Sequence, residues 1–182
     1  MRKILALLLI LVMIFGLAAC RSTAQTPENE SLPGQKEQIA DPSPQMEEKE
    51  VTLYFVNNEY AQTGNEDLEK LIPEKRIVQY GTLSLEEAVV RELLKGAESE
   101  ELSTGIPTTA KLLGVEVTDS TAYVNFASEG MNGGSFQEIM TIEQIIQSLT
   151  DLETVDSVQF LLDGKKAETL MGHMSIADPF TK

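Results

Sequence analysis

Ser135-Phe136-Gln137-Glu138-Ile139-Met140-Thr141-Ile142-Glu143-Gln144-Ile145-Ile146-Gln147-Ser148-Leu149 is the stretch on which the fold turns. Ile139, Ile142, Ile145, Ile146 and Leu149 recur at three- and four-residue intervals, the spacing that lines up apolar side chains along one side of an α-helix. Glu138, Glu143, Gln144 and Gln147 fall between them and are expected to face water. Asn132-Gly133-Gly134 interrupts the chain just before, and Ser135 with Glu138 has the spacing of a capping box. Such a helix buries its isoleucines only if the rest of the chain supplies an apolar surface.

Working outward, both flanks read as strands. Upstream, Lys111–Val117 and Thr121–Phe126 alternate in polarity around Asp119-Ser120, so an antiparallel hairpin with one buried side is expected. Val115 and Val117 share one face, and so do Ala122, Val124 and Phe126. Downstream, Val155–Leu162 is a strand, and Asp163-Gly164 is a two-residue hairpin turn leading into Lys165–Leu170. Farther upstream, Ser84 and Glu87 form a second capping box. It opens a helix whose inward stripe is Leu85, Ala88, Val89 and Leu93, with Leu94 at its margin and Gly96 ending it in left-handed geometry. Val51–Val56 is a crowded strand, Asn57–Pro73 a long polar connection, and Lys75–Tyr80 a second extended stretch. No internal repeat is present. The expectation is an α+β domain over residues 50–182, one small mixed β-sheet with two α-helices packed on one face, preceded by a disordered tether.

The chain's N-terminal end has a different character. Arg2 and Lys3 precede an apolar run from Ile4 to Phe15, too short to span a bilayer comfortably, and Gly16-Leu17-Ala18-Ala19-Cys20 follows. Leu17-Ala18-Ala19-Cys20 resembles the lipobox of bacterial lipoproteins, so residues 1–19 are expected to be a signal peptide and Cys20 to be lipidated. Residues 20–49 lack periodicity, carry prolines at 27, 33, 42 and 44, and are expected to be a tether. About 30 flexible residues would hold the domain roughly 30 Å from the bilayer, with a taut limit near ~100 Å.

Composition narrows the function. Cys20 is the only cysteine, so no disulfide framework or cysteine zinc site is available, and stability must come from an apolar core. The net charge is −15, and losing Arg2 and Lys3 makes it more acidic still. Nucleic acid is excluded as a partner because phosphate binding needs clustered Lys and Arg. Anionic headgroups would repel the domain, leaving the lipid to hold it at the membrane.

The chemistry-bearing residues form no recognisable set. His173 is the sole histidine, with Asp163 and Asp178 in sequence reach, but no serine sits in a nucleophile-elbow pattern. Glu86-Glu87 and Glu100-Glu101 read as helix-start or loop carboxylates, and Asp119, Asp156 and Asp163 as turn residues. Gly133-Gly134 reads as a cap, and Met131, Met140, Met171 and Met174 as core or edge packing. No catalytic residue, cofactor or metal is expected.

Five segments in order are more telling. Glu92-Leu93-Leu94-Lys95-Gly96, Gly105-Ile106-Pro107, the Leu112–Phe126 hairpin, Ser148-Leu149-Thr150, and Val155–Lys165 with its Leu161-Leu162-Asp163-Gly164-Lys165 end together resemble the GerMN domain over Val51–Asp178. Ala97 departs from the pattern, in which a proline follows the glycine. The resemblance implies an extracytoplasmic domain, often carried on lipoproteins and found in assemblies between two membranes during sporulation, with no established catalytic residues. Two readings follow. One is a membrane-anchored binding or assembly module of the cell envelope, in sporulation or germination, that presents a sheet edge or helix face to another envelope protein or to itself. The alternative is a cell-wall polymer hydrolase or sugar-binding lipoprotein using surface carboxylates. Aromatic residues at 5% and the lack of tryptophan weigh against the second, because sugar sites stack rings.

If Cys20 is the anchor, Cys20→Ala moves the protein from the membrane fraction to unprocessed precursor or to the medium. Fractionation and immunoblotting check this, and a processed variant that stayed on the membrane would overturn it.

Overall fold

The computed structural model describes residues 45–181. The expected signal peptide, Cys20 and the tether up to residue 44 lie outside them. Strand β1 (Glu47–Asn57) begins ahead of the expected domain start at residue 50. Its polar first residues join the sheet through cross-strand pairs: Tyr80 Oη donates to Glu47 at 2.6 Å, Gln79 Nε2 to Glu48 at 2.9 Å, and Lys75 Nζ to Glu50 at 2.9 Å. Val51, Leu53 and Phe55 alternate inward along β1 and are buried.

The expected polar connection after β1 contains two elements. Asn57 caps a short helix, α1 (Asn58–Thr63), accepting the N–H groups of Glu59 and Tyr60, and Gly64 closes it in left-handed geometry with φ 63°. Strand β2 (Leu71–Tyr80) then starts early and runs through Pro73. Proline is harmless there. It stands opposite Tyr54, whose own N–H points away from β2 to Ser148 Oγ at 3.0 Å, so the pair needs no ladder bond from position 73.

Helix α2 (Leu85–Lys95) is capped as expected, Ser84 Oγ accepting the Glu87 N–H at 3.1 Å, although Glu87 pairs with Arg91 rather than reaching back. Its buried stripe is the expected one with Val90 and the carboxylate Glu86 added, the latter bonded to Thr154. Each large member contributes about 1.5–3 kcal/mol. Arg76 fixes the helix's far end: its guanidinium meets Glu74, lies 3.6 Å from Glu92 and donates to the Gly96 carbonyl at 3.1 Å. Gly96 ends the helix with a positive φ of 91° but an extended ψ of 175°, not a left-handed cap. Ala97, where the GerMN pattern has proline, packs against the core.

After a two-residue strand, β3 (Leu102–Ser103), come β4 (Leu112–Thr118) and β5 (Thr121–Phe126), the expected hairpin, turning through Asp119 and Ser120 at φ 48° and 58°. Val117 is half exposed rather than sharing the burial of Val115. Helix α3 (Ser135–Thr150) follows, then β6 (Ser157–Leu162) and β7 (Phe180–Thr181). Asp163 and Gly164 make the expected tight turn, with Leu162 and Lys165 exchanging backbone bonds. The strand expected over Lys165–Leu170 does not form, and β7 takes the place beside β6.

The fold is α+β, with two sheets where one was expected. The first is antiparallel in the order β2-β1-β3, and the second is mixed in the order β4-β5-β6-β7, β5 and β6 being parallel across α3. Helix α2 packs on β1, β2 and β4, and α3 on β1, β6 and β7, so each helix touches both sheets instead of covering one face of a single sheet. That position explains why both bury more than one stripe. Ile142, Ile145 and Leu149 of α3 have no exposed surface and join the core with Val89, Val124 and Phe160. No helix among the described residues is long and apolar enough to cross a membrane.

Ile145→Asp puts a carboxylate at the centre of that core. An unpaired buried charge costs several kcal/mol, comparable with the whole stability of a domain at about 5–15 kcal/mol, so the variant is expected to unfold. Circular dichroism with an unchanged melting temperature would contradict this.

Candidate functional site

The side chains singled out in the sequence are mostly dispersed. Asp163 sits in its turn, accepts the Ser128 N–H at 3.2 Å, and is held below the usual carboxylate range by that contact. Asp178 is exposed in the tail, and neither aspartate is a hydrogen-bond partner of His173. Glu86 accepts from Thr154 Oγ1 at 2.6 Å, and Glu100 and Glu101 lie exposed in the loop before β3. Gly133 packs against Gln137 and Met171, and Gly134 is the residue that caps α3, with no side-chain bond to it. Met131 and Met140 are buried, while Met171 and Met174 pack at the core's edge.

One contact was hidden in the sequence. Glu138, expected to face water, is fully buried and collects four donors from one loop: the N–H groups of Leu170 (2.9 Å), Met171 (2.7 Å) and His173 (2.7 Å), and His173 Nδ1 (3.0 Å). Burial alone would push the carboxyl up, but the amides of Met171, His173 and Leu170 together with the imidazole outweigh it and hold it below its ordinary value. Both oxygens are occupied by fixed donors, so Glu138 is a holder of the loop. His173 is its partner, with half-exposed side chain, and among the described residues no hydroxyl is bonded to the pair.

The same helix holds other segments by the same means. Gln144, also expected outside, is buried; its Oε1 accepts the Gly105 N–H at 2.5 Å while Thr141 Oγ1 donates to the Gly105 carbonyl at 2.8 Å. Gly105 lies so close that a Cβ there would stand 2.9 Å from the Met140 and Thr141 backbone. Ser148 accepts the Tyr54 N–H of β1. Glu138, Thr141, Gln144 and Ser148 keep the helical period among the isoleucines, a pattern that could have marked them as inward.

The other side of α3 borders a groove of about 530 Å³ lined by Ile142 and Ile146, by Tyr54 of β1, and by Met174 and Phe180. The loop pinned by Glu138 leads directly into Met174. Phe180 is fixed by an edge-on contact with Phe160, ring centroids 5.9 Å apart. A second basin of about 450 Å³ shares Tyr54, Glu143 and Gln147 and adds Glu69, Lys70, Leu71 and Pro73, so the two form one furrow along the helix. The Tyr54 hydroxyl is pushed up by burial and by the charge of Asp151. Glu69 and Glu143 are the two carboxylates lining the furrow. Among the described residues no group of three His, Cys, Asp or Glu side chains could hold a metal ion.

Since the folded carboxyl of Glu138 titrates below the unfolded one, its stabilisation is present above the ordinary glutamate value of about 4.3 and is lost as pH falls from there through the lower folded value. Glu138→Gln should lower stability near neutrality by about 3 kcal/mol, the scale of one or two hydrogen bonds to a charged group. It should also flatten the acid limb of the stability curve. Denaturant midpoints measured against pH test this, and an unchanged midpoint at neutral pH would contradict it.

The family model described as sporulation and spore germination, Germane, matches residues 52–168. Among solved structures, the first GerMN domain of the sporulation protein GerM from Bacillus subtilis is similar at 16% identity and a TM-score of 0.60, covering 74% of this chain and 98% of that one. The tandem GerMN domains of the same protein match at 18% identity and a TM-score of 0.57; the alignment covers 81% of this chain and 49%, about half, of the tandem. A Clostridium perfringens protein provisionally described as a lipoprotein matches at 23% identity and a TM-score of 0.49, covering 74% of this chain and 88% of that one. No curated protein sequence matches significantly. At these identities the structures speak for the fold, but the family model spans well over half of the chain, and the chain belongs to the Germane family of sporulation and spore germination.

Proposed function

We propose that this protein is a non-catalytic binding or assembly module of the bacterial cell envelope, acting in sporulation or germination. It is held outside the membrane by lipid on Cys20 and docks on another envelope protein or on a second copy of itself. The observation that carries the reading is the furrow along α3. Its apolar residues come from three parts of the chain, and they are fixed from behind by buried hydrogen bonds. Rigid apolar surface rimmed by polar groups is what a docking site needs. Family membership supports the sporulation context, and the Leu17–Cys20 segment supports the anchor.

A photocrosslinking amino acid at position Gln147, exposed on the furrow's lip, is expected to trap a second envelope protein or another copy in sporulating cells. The same probe at Glu116, on the outward face of β4, is the control. Adducts from Glu116 alone, or none from either position in cells that contain the folded protein, would sink the proposal.

A further inference from the structure

The furrow's charge and backbone chemistry narrow the choice of partner. We propose that it receives a basic amphipathic helix of another envelope protein; this rests on the binding-module reading above. Phe136, Ile139, Glu143, Ile146 and Thr150 recur at three- and four-residue steps along α3, so the face they mark runs about 20 Å, the length of a helix of about 14 residues. Phe136, on this row but outside the furrow's lining, is 44% exposed with its ring 6.1 Å from that of Tyr60, while Tyr54 and Phe180 line the furrow itself. Half-buried rings such as Tyr54 and Phe180, with an exposed one on the same side of α3, are the kind of surface on which helix-in-groove recognition anchors.

A strand is a poorer occupant. Strand addition needs free backbone donors, and beside the furrow the Tyr54 N–H is already taken by Ser148 Oγ. At that point of β1 recognition has to run through side chains.

Charge sets the sign of the occupant. Glu143 belongs to both basins, Glu69 lines the second, and the charge of Asp151 acts on Tyr54. Lys70 is the one cation lining the furrow among the described residues, and its ammonium is engaged 5.9 Å over the Tyr60 ring. That contact shows, in place, an aromatic face accepting an ammonium. A second copy of this chain, at a net charge of −15, would be repelled, as would an anionic lipid surface. An incoming helix with lysines or arginines flanking its apolar stripe satisfies both the rings and the carboxylates.

The test uses the full chain in nanodiscs of zwitterionic phosphatidylcholine and fluorescence anisotropy with three labelled peptides of about 14 residues: leucine–lysine amphipathic, the same with glutamate for lysine, and the lysine peptide with its leucines scrambled. The first alone should bind, more weakly as salt rises, and Glu143→Lys should weaken it by about tenfold or more while Glu116→Lys leaves it unchanged. Gln147→Lys, at an exposed position on the same lip, gives a second reading if Glu143→Lys lowers the melting temperature. Equal binding of the acidic or scrambled peptide overturns the inference, as does an equal loss with Glu116→Lys. Sedimentation showing a dimer that Glu143→Lys abolishes, with no peptide bound, would instead assign the furrow to a second copy. Crosslinking from Gln147 that persists when every peptide fails would retain the binding module and reject this partner.

Discussion

Buried backbone groups must find hydrogen-bond partners, and in this domain the side chains of α3 provide them for two loops and for the side of β1 that β2 leaves open. Glu138 holds the loop at 170–173, Thr141 and Gln144 hold Gly105, and Ser148 holds the open side of β1. Each bond joins residues more than thirty positions apart. Without them the two sheets would meet the helix through apolar contacts alone, which fix neither register nor loop path. The isoleucines of α3 supply the driving force of the fold, and its buried polar side chains specify the arrangement.

This division decides how the domain's surface is made. One side of α3 is committed to internal bonds, so the loop carrying Met174 and the strand carrying Tyr54 are held still on either side of its other face. An interface formed of immobilised residues loses little entropy on binding, which favours recognition over flexible capture. The carboxylate at the centre of the arrangement is saturated with donors and is structural in consequence.

Much of this was legible in the residues. The Ser84 cap, the Asp119-Ser120 turn and the isoleucine stripe are local signals, and each formed its element. Where expectation and structure part, the deciding partner lies far away in sequence. Glu138 and Gln144 read as outward because an amphipathic template sends Glu and Gln to water; only loops at Gly105 and Leu170 reverse that. The strand expected over Lys165–Leu170 failed for the same reason, since part of its amide donors, with those just beyond, goes to Glu138 instead of a ladder. The separation into two sheets was also not local: nothing in β1 records that a serine of α3 would occupy its free side. The furrow is assembled from β1, α3 and the chain's last strand, and no single stretch announces it.

The β1–β2 ladder has a mechanical consequence. The chain enters the domain at Glu47, the first of ten consecutive residues of β1 aligned with β2, and the opposite end of β1 is tied to α3. Tension applied along the strand from the residues ahead of Gln45 therefore acts on the ladder lengthwise, so its bonds share the load and must fail together rather than one after another as in a peeled hairpin. A strand loaded in this direction resists being drawn open from its N-terminal end, so the wall that Tyr54 gives to the furrow keeps its place under such a pull.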